Sequence, residues 1–229
     1  MKIHLGCGNK YLDGYLNIDL PQDEHTVMEV KADLYADIRT LDFPENSIEE
    51  IRLHHLFEHF TRAEALKLLV KWRKWLKVGG VLHIQTPDFS RCLIKYLFAP
   101  MKFRMQLGRH IFGSQEARWA YHLDFWDKKK FKFILKRLGF DIIRFRRYWN
   151  SFHKHYPHLP FANVIGELIP DIIYQKYGGF KLPDIVVFAV KNDREIDFDK
   201  EVENILKYYL IGKEDRSLLN VWLDEYKKL

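Results

Sequence analysis

Lys2-Ile3-His4-Leu5-Gly6-Cys7-Gly8-Asn9 is the stretch whose reading decides the fold. Ile3 and Leu5 alternate with His4, and the chain then turns abruptly into Gly6-Cys7-Gly8. That pattern predicts a short buried strand running into a glycine-rich loop. Two glycines around a small residue let the backbone bend tightly and let a ligand approach its N–H groups. Ligands of open α/β sheets sit outside the carboxyl ends of the strands. The loop is therefore the floor of a binding site or, equally, a plain strand-end turn, because G-x-G closes many strands.

Working outward, Tyr15 to Asp19 alternates as a second strand ending on an acid. Dinucleotide folds place a ribose-binding carboxylate about 20 residues past the glycine loop. Asp19 comes sooner than that, so the connecting helix is cut short. Its plain reading is a turn residue before Pro21. Val30 to Leu34 reads as a third strand, followed by a loop that carries Asp37 and Asp42. Glu50 to Phe57 is the fourth strand, running into Glu58-His59-Phe60. Thr61 with Glu64 then forms a capping box that opens a helix. Its apolar stripe is Ala65, Leu68, Leu69, Trp72 and Leu76, and Gly79-Gly80 is expected to end it. Val81 to Thr86 is a fifth strand, stopped by Pro87-Asp88.

Residues 89 to 126 keep no regular period and read as a cover over the strand ends with some helix in it. Asp127 caps a second helix whose apolar face is Phe131, Ile134, Leu135 and Leu138, closed by Gly139. Asp141 to Tyr148 is the sixth strand, 150 to 183 a second insert, and Ile185 to Lys191 a seventh strand buried on both faces. Two amphipathic helices, 197 to 209 and 215 to 226, complete the chain. The fold class expected is α/β: a doubly wound, seven-stranded, mostly parallel sheet with inserts and a helical C-terminal tail. Residues 1–193 would form the main domain, with the inserts 89–126 and 150–183 covering the substrate, and 194–229 a helical appendage.

The 229 residues are enough for one sizeable α/β domain and short for two. A hydrophobic share of 47% with 30% charged residues describes a soluble globular protein. The 17 Phe and 12 Tyr predict an aromatic core or cleft. A formal charge of +6 permits an anionic partner without demanding one. Two cysteines, Cys7 and Cys92, make neither a disulfide framework nor a zinc spacing, which suits a reducing, cytoplasmic setting. The first residues enter a strand rather than a signal peptide, and no apolar run approaches the ~18 residues of a membrane span.

The order strand, glycine loop, acid-ended strand, acid loop, strand, capped helix, Gly-Gly, strand, Pro-Asp resembles class I S-adenosylmethionine-dependent methyltransferases, in particular the methyltransferase type 11 group. The matching pieces are Ile3 to Asn9, Asn17 to Leu20, Ala36 to Ile38 with Leu41 to Ser47, Leu53 to His59, Lys77 to Ile84 with Pro87-Asp88, and His122 to Asp127. The resemblance implies S-adenosylmethionine as cofactor. It places the backbone of Gly6, Cys7 and Gly8 against the methionine part, with Asn9 and His54 beside it. It assigns Asp19 to the ribose hydroxyls, Leu20 to one face of the adenine, Asp37 to the adenine amino group and Ile38 to the other face. In two places the chain departs from the family pattern. His4 stands where an acid usually precedes the first glycine, and Lys10 where a third glycine often follows.

Methyl transfer is an in-line displacement at a sulfonium, so positioning of the acceptor dominates. A base is needed only for a hydroxyl or a protonated amine, and then contributes ~10²–10⁴-fold. Base candidates above the strand ends are His55, His59, Asp88 and His122, with Asp124 and His54 nearby. Each has a plain reading too, since strand-end histidines often just satisfy backbone groups. The clusters His54, His55, Glu58, His59 and His153, His155, His158 could suggest a metal. The first spans a strand end rather than a helix face, so no metal is expected. The acceptor class expected is a small molecule or saccharide, methylated at oxygen or nitrogen. The alternatives are an RNA methyltransferase, or a non-catalytic S-adenosylmethionine-binding or interaction protein. Nucleic acid is not the expected partner, because the fourth strand lacks an Asn/Asp-Pro-Pro-aromatic box. The runs Lys128–Lys130 and Arg144–Arg147 fit helix and strand surfaces equally well. A homodimer through the C-terminal helices is the protein partner expected.

Overall fold

In the computed structural model the described residues are 1–25, 27–147, 182–212 and 216–228. Seven strands form one sheet: β1 (Lys2–Leu5), β2 (Leu16–Asp19), β3 (Leu34–Tyr35), β4 (Ile48–His54), β5 (Leu76–Pro87), β6 (Phe140–Arg147) and β7 (Asp184–Lys191). Their order is β3-β2-β1-β4-β5-β7-β6. Strands β1 to β5 pair in parallel, and β7 runs antiparallel to both β5 and β6. The chain winds outward one way from β1 and the other way from β4. The crevice between their carboxyl ends is thus the topological switch point, where open α/β sheets bind ligands. The doubly wound, seven-stranded class expected from the sequence is present.

Period-two alternation gives the sheet two unlike faces. Ile3, Leu5, Ile18, Ile51, Leu53, Leu82, Ile84, Ile185, Val187 and Ala189 are buried in one continuous core. Helices α1 (Arg62–Trp75), α4 (Lys128–Arg137), α5 (Phe198–Lys207) and α6 (Arg216–Lys228) supply the other half of that core. Trp72 and Trp75 from α1, Phe131 from α4, and Ile205 and Leu219 from the tail meet there. The two C-terminal helices therefore share the core of the sheet. The intervening residues point the other way and are polar: His4, Asn17, Arg52, His54 and His83. Rings follow one another across the strands, His4 5.6 Å from His54, His54 5.4 Å from His83, and His83 4.3 Å from Phe188.

Among the described residues the β1–β2 and β2–β3 connections contain no α-helix, only a 3-10 turn at Gln22–Glu24. Buried Asn17 makes the short first connection possible. Its side chain accepts from Leu12 N–H at 2.9 Å and donates to the carbonyls of Leu12 and Tyr15, both at 3.0 Å. One side chain thus does for residues 12–15 what a helix would have done for its own backbone.

The Thr61–Glu64 capping box is formed in both directions, and Asp127 caps α4 through Lys130 N–H at 2.8 Å. Helix α1 ends at Trp75, however, and not at Gly79-Gly80. Leu76 is already extended and begins β5, so the glycines lie inside that strand, next to its register shift against β4. The third strand is the two-residue β3 at 34–35 and not 30–34. In the first insert, α2 (Phe89–Phe98) and α3 (Met101–Phe112) form a helical pair around Cys92, Phe103 and Leu107. The second insert lies outside the described residues except for 182 and 183. No described helix is long and apolar enough to cross a membrane.

Candidate functional site

Two groups of side chains stand at the carboxyl edge of the sheet. The first surrounds the glycine loop. Gly6 and Gly8 have φ of +63° and +54°, the left-handed region that favours glycine. The N–H groups of Gly6 and Cys7 both reach Ile18 C=O, at 2.9 and 3.2 Å. Gly8 N–H donates to Asp19 Oδ2 at 2.6 Å, and Leu20 N–H donates to Oδ1 at 2.7 Å. His25 Nε2 stands 3.2 Å from the same Oδ1. The indole of Trp119 packs 5.3 Å from the His25 ring and donates to Glu24 C=O at 2.7 Å. Asp19 is thereby only 7% exposed, with both oxygens in use. The sequence marked Asp19, and Trp119 as part of an aromatic cleft rim, but carried no signal for His25.

The remaining residues of this group vary. Cys7 is buried, with its thiol 3.4 Å from Lys31 C=O, and burial pushes its pKa up to about 12, so it is no nucleophile. Asn9 is exposed and Leu20 half-buried. Asp37 is clamped by Arg39 at 2.6 Å, and Arg39 reaches on to Glu64 at 3.2 Å. Burial works against its charge, but the Arg39 hydrogen bonds prevail and hold the Asp37 carboxyl below its usual range. Ile38, expected against an adenine ring, is a member of the main core. His54 Nε2 accepts from Arg52 Nε at 3.0 Å within the polar row. Burial pulls its pKa down to about 3, which keeps it neutral.

The second group lies where β4 and β5 end and β7 begins. His55, with φ of +50°, holds its ring between two carboxylates. Nδ1 is 3.3 Å from Glu58 Oε1 and Nε2 is 3.2 Å from Asp184 Oδ2. Burial opposes a charge on this ring, but the bonds to Asp184 and Glu58 outweigh it and push its pKa up to about 10. With a carboxylate at each ring nitrogen, His55 is placed to donate on both sides and to hold Glu58 and Asp184 together. His110 Nε2 sits 3.0 Å from Asp184 Oδ1 and bonds Pro183 C=O at 3.1 Å, which extends the row. Asp88 is wholly buried at the start of α2, away from solvent.

Glu58, 2% exposed, connects this row to a cavity of about 280 Å³. The cavity is lined by Glu58, Arg62, Phe89, His122, Asp124 and Trp126, among others. Its wall is positioned by backbone contacts. Leu123 N–H donates to Glu58 C=O at 2.8 Å and His122 N–H to Phe112 C=O at 3.2 Å. Gly113 pairs with Tyr121 across an isolated bridge; its φ is +87°, and a Cβ there would lie 2.0 Å from Ala120 C=O. Only glycine lets these segments approach so closely. His122 Nε2 faces Glu58 Oε1 at 4.0 Å, and the rings of His59 and His122 are 4.7 Å apart. Burial pulls the pKa of His122 down to about 4, so its lone pair is available at neutral pH. Below them Lys130 pairs with Asp124 at 2.6 Å, its ammonium 4.2 Å from the Trp126 ring centroid.

The fold and the glycine loop thus define a doubly wound α/β protein with a binding crevice at its switch point and a second, His- and carboxylate-lined cavity beside it. No protein-family model matches the chain, and no curated protein matches it in sequence. Solved structures do align with it. An S-adenosylmethionine-dependent methyltransferase from Mesorhizobium loti is 13% identical with a TM-score of 0.49, covering 82% of this chain and 89% of its own. One from Methanosarcina mazei is 14% identical at 0.48, covering 83% and 91%. One from Archaeoglobus fulgidus is 17% identical at 0.48, covering 82% and 85%. At such identities and scores it is the strand order in this chain that carries the fold.

Proposed function

We propose that the chain binds S-adenosylmethionine at the β1/β4 crevice and transfers its methyl group to an oxygen or nitrogen of a small molecule or saccharide in the adjoining cavity. The observation that carries this reading is the placement of Gly6–Gly8 at the topological switch point, with Asp19 the last residue of β2 and Asp37 just past the end of β3. These residues fit an adenosyl group. Asp19 Oδ1 accepts from Leu20 N–H and has His25 Nε2 beside it at 3.2 Å, while Oδ2 stays fixed on Gly8 N–H. A ribose hydroxyl would replace His25 at the same oxygen. Asp37, 32% exposed on its side chain, would turn toward the adenine amino group.

The cofactor supplies a methyl carbon already activated by its sulfonium. An acceptor lone pair forms the new bond as the C–S bond breaks, its electron pair remaining on sulfur; an acceptor proton leaves to solvent or a nearby base. The chain holds the acceptor between Phe89 and Trp126 on one side and the Glu58–His122 edge on the other, and excludes water. The imidazolium of His55 keeps Glu58 ionised despite its burial. RNA is disfavoured as acceptor by one contact in particular: Lys130 is buried in an ion pair with Asp124, which removes it from the basic run 128–130.

Incubation with methyl-labelled S-adenosylmethionine and a panel of sugars, phenols and amines tests the reading. Label should pass to one acceptor class, and His122→Ala should abolish the transfer. Transfer to oligonucleotides alone would replace the acceptor, and a folded chain that binds cofactor but labels nothing would leave a binding protein.

A further inference from the structure

We infer that Glu58, His59 and His122 form a binding site for one divalent first-row transition metal at the floor of the cavity. One ligand atom from each lies within 4.8 Å of the others. Glu58 is buried, and its Oε2 makes no hydrogen bond with any described residue. A buried carboxylate oxygen left this way is costly unless a donor or a cation completes it. His59 Nδ1 lies 3.1 Å from Tyr121 C=O, so that nitrogen donates and Nε2 is left as the lone pair. Backbone acceptors that fix the outer nitrogen of a ligating histidine are the usual support of such sites. The segment carrying His122 is pinned to Glu58 itself through Leu123 N–H.

Two imidazoles and one carboxylate suit zinc, manganese or iron(II) better than magnesium or calcium, which prefer oxygen ligands throughout. Zn–N and Zn–O bonds of about 2.0–2.2 Å put tetrahedral ligand atoms roughly 3.4 Å apart. The present spacing, 4.0 Å between His122 Nε2 and Glu58 Oε1 and at most 4.8 Å within the group, would have to tighten to that value on binding. Glu58 and His122 line the cavity, so a metal held there would be within reach of an acceptor hydroxyl. In that role, which rests on the methyl-transfer reading, the metal would lower the hydroxyl pKa and orient the oxygen. The site itself does not depend on that reading. The sequence set metal aside because residues 54–59 lie at a strand end; the fold brings the third ligand from the far side of the first insert.

The test uses the full chain, stripped with a chelator, without cofactor. Cobalt(II) should bind one equivalent and develop a visible absorption band, and calorimetry should show zinc displacing it. His59→Ala and His122→Ala should each weaken cobalt binding by about 100-fold or more. Both residues are partly exposed, so if one variant misfolds the other decides. A His153→Ala/His155→Ala/His158→Ala triple variant should bind as the parent does. Failure of the folded parent to bind cobalt, binding unchanged in His59→Ala and His122→Ala, or binding lost in the triple variant would each overturn the site. Loss of methyl transfer with cobalt binding intact would instead strike the functional reading alone.

Discussion

Asp19 and Glu58 are both carboxylates buried at the carboxyl edge of the sheet, and they live in opposite circumstances. Asp19 is satisfied by its own chain: two N–H groups and His25 occupy both oxygens. Glu58 is satisfied on one side only, by His55; its other oxygen makes no hydrogen bond with any described residue, and the residue lines the cavity with His122. The first must give up a contact before it can hold a ligand. The second is built around a space that something else has to complete. The difference separates a crevice that opens by exchanging partners from a cavity that is formed in advance, with the positions of its walls set by Gly113, Lys130 and the Glu58 carbonyl.

The largest effect expected comes from the wall of the preformed cavity. Lys130→Met leaves Asp124 buried without its cation and should cost about 3–5 kcal/mol in denaturant unfolding. Adding Asp124→Leu should recover much of that loss, because a buried pair replaced by apolar groups is often near neutral. A single variant as stable as the parent would mean that the cavity wall does not need the pair.

Next in size is the response to acid. His54, His83 and His122 are buried neutral, with pKa values pulled down to about 3, 4 and 4, against about 6.5 in the unfolded chain. Each contributes stability that is present above pH ~6.5 and is lost as the pH falls through its folded value. His55 behaves in the opposite sense. Its pKa of about 10 contributes stability that is complete below pH ~6.5 and is lost as the pH rises through 10. Unfolding midpoints should therefore fall on both sides of neutrality. His83→Phe should flatten the acid limb and His55→Asn the alkaline one; unchanged limbs would contradict these assignments.

The smallest effect concerns the crevice. His25 stands against Asp19 Oδ1 without hydrogen-bonding to it, so removing the ring should free that oxygen for a ligand. His25→Ala should accordingly bind S-adenosylhomocysteine about 2- to 10-fold more tightly. Weaker binding would make His25 a cofactor contact and not a stand-in for one.

The crevice was legible in the sequence because its parts are local. Period-two alternation, a G-x-G turn and strand-end acids each announce themselves within a few residues. The Thr61–Glu64 capping box and the Asp127 cap read correctly for the same reason. Gly79-Gly80 misled because a glycine pair after a helix has the chemistry of a helix end, while Leu76 had already been drawn into β5 by pairing with Ile48. The cavity was legible only in fragments. His55, His59 and His122 stood out as candidates, but the rise in the His55 pKa depends on Asp184, from the first residue of β7. No local signal connects residues 55 and 184, or 59 and 122. Their proximity is a product of the β5–β7 pairing and of the Gly113–Tyr121 bridge.

Calorimetric titration of the full chain and of Asp19→Ala with S-adenosylmethionine tests most directly whether the switch-point crevice is a cofactor site. Hydrogen bonds to a charged group contribute ~1.5–3 kcal/mol, so a folded Asp19→Ala protein should bind about 10- to 100-fold more weakly than the parent. Equal affinity in the two proteins, or no binding by the parent, would contradict it.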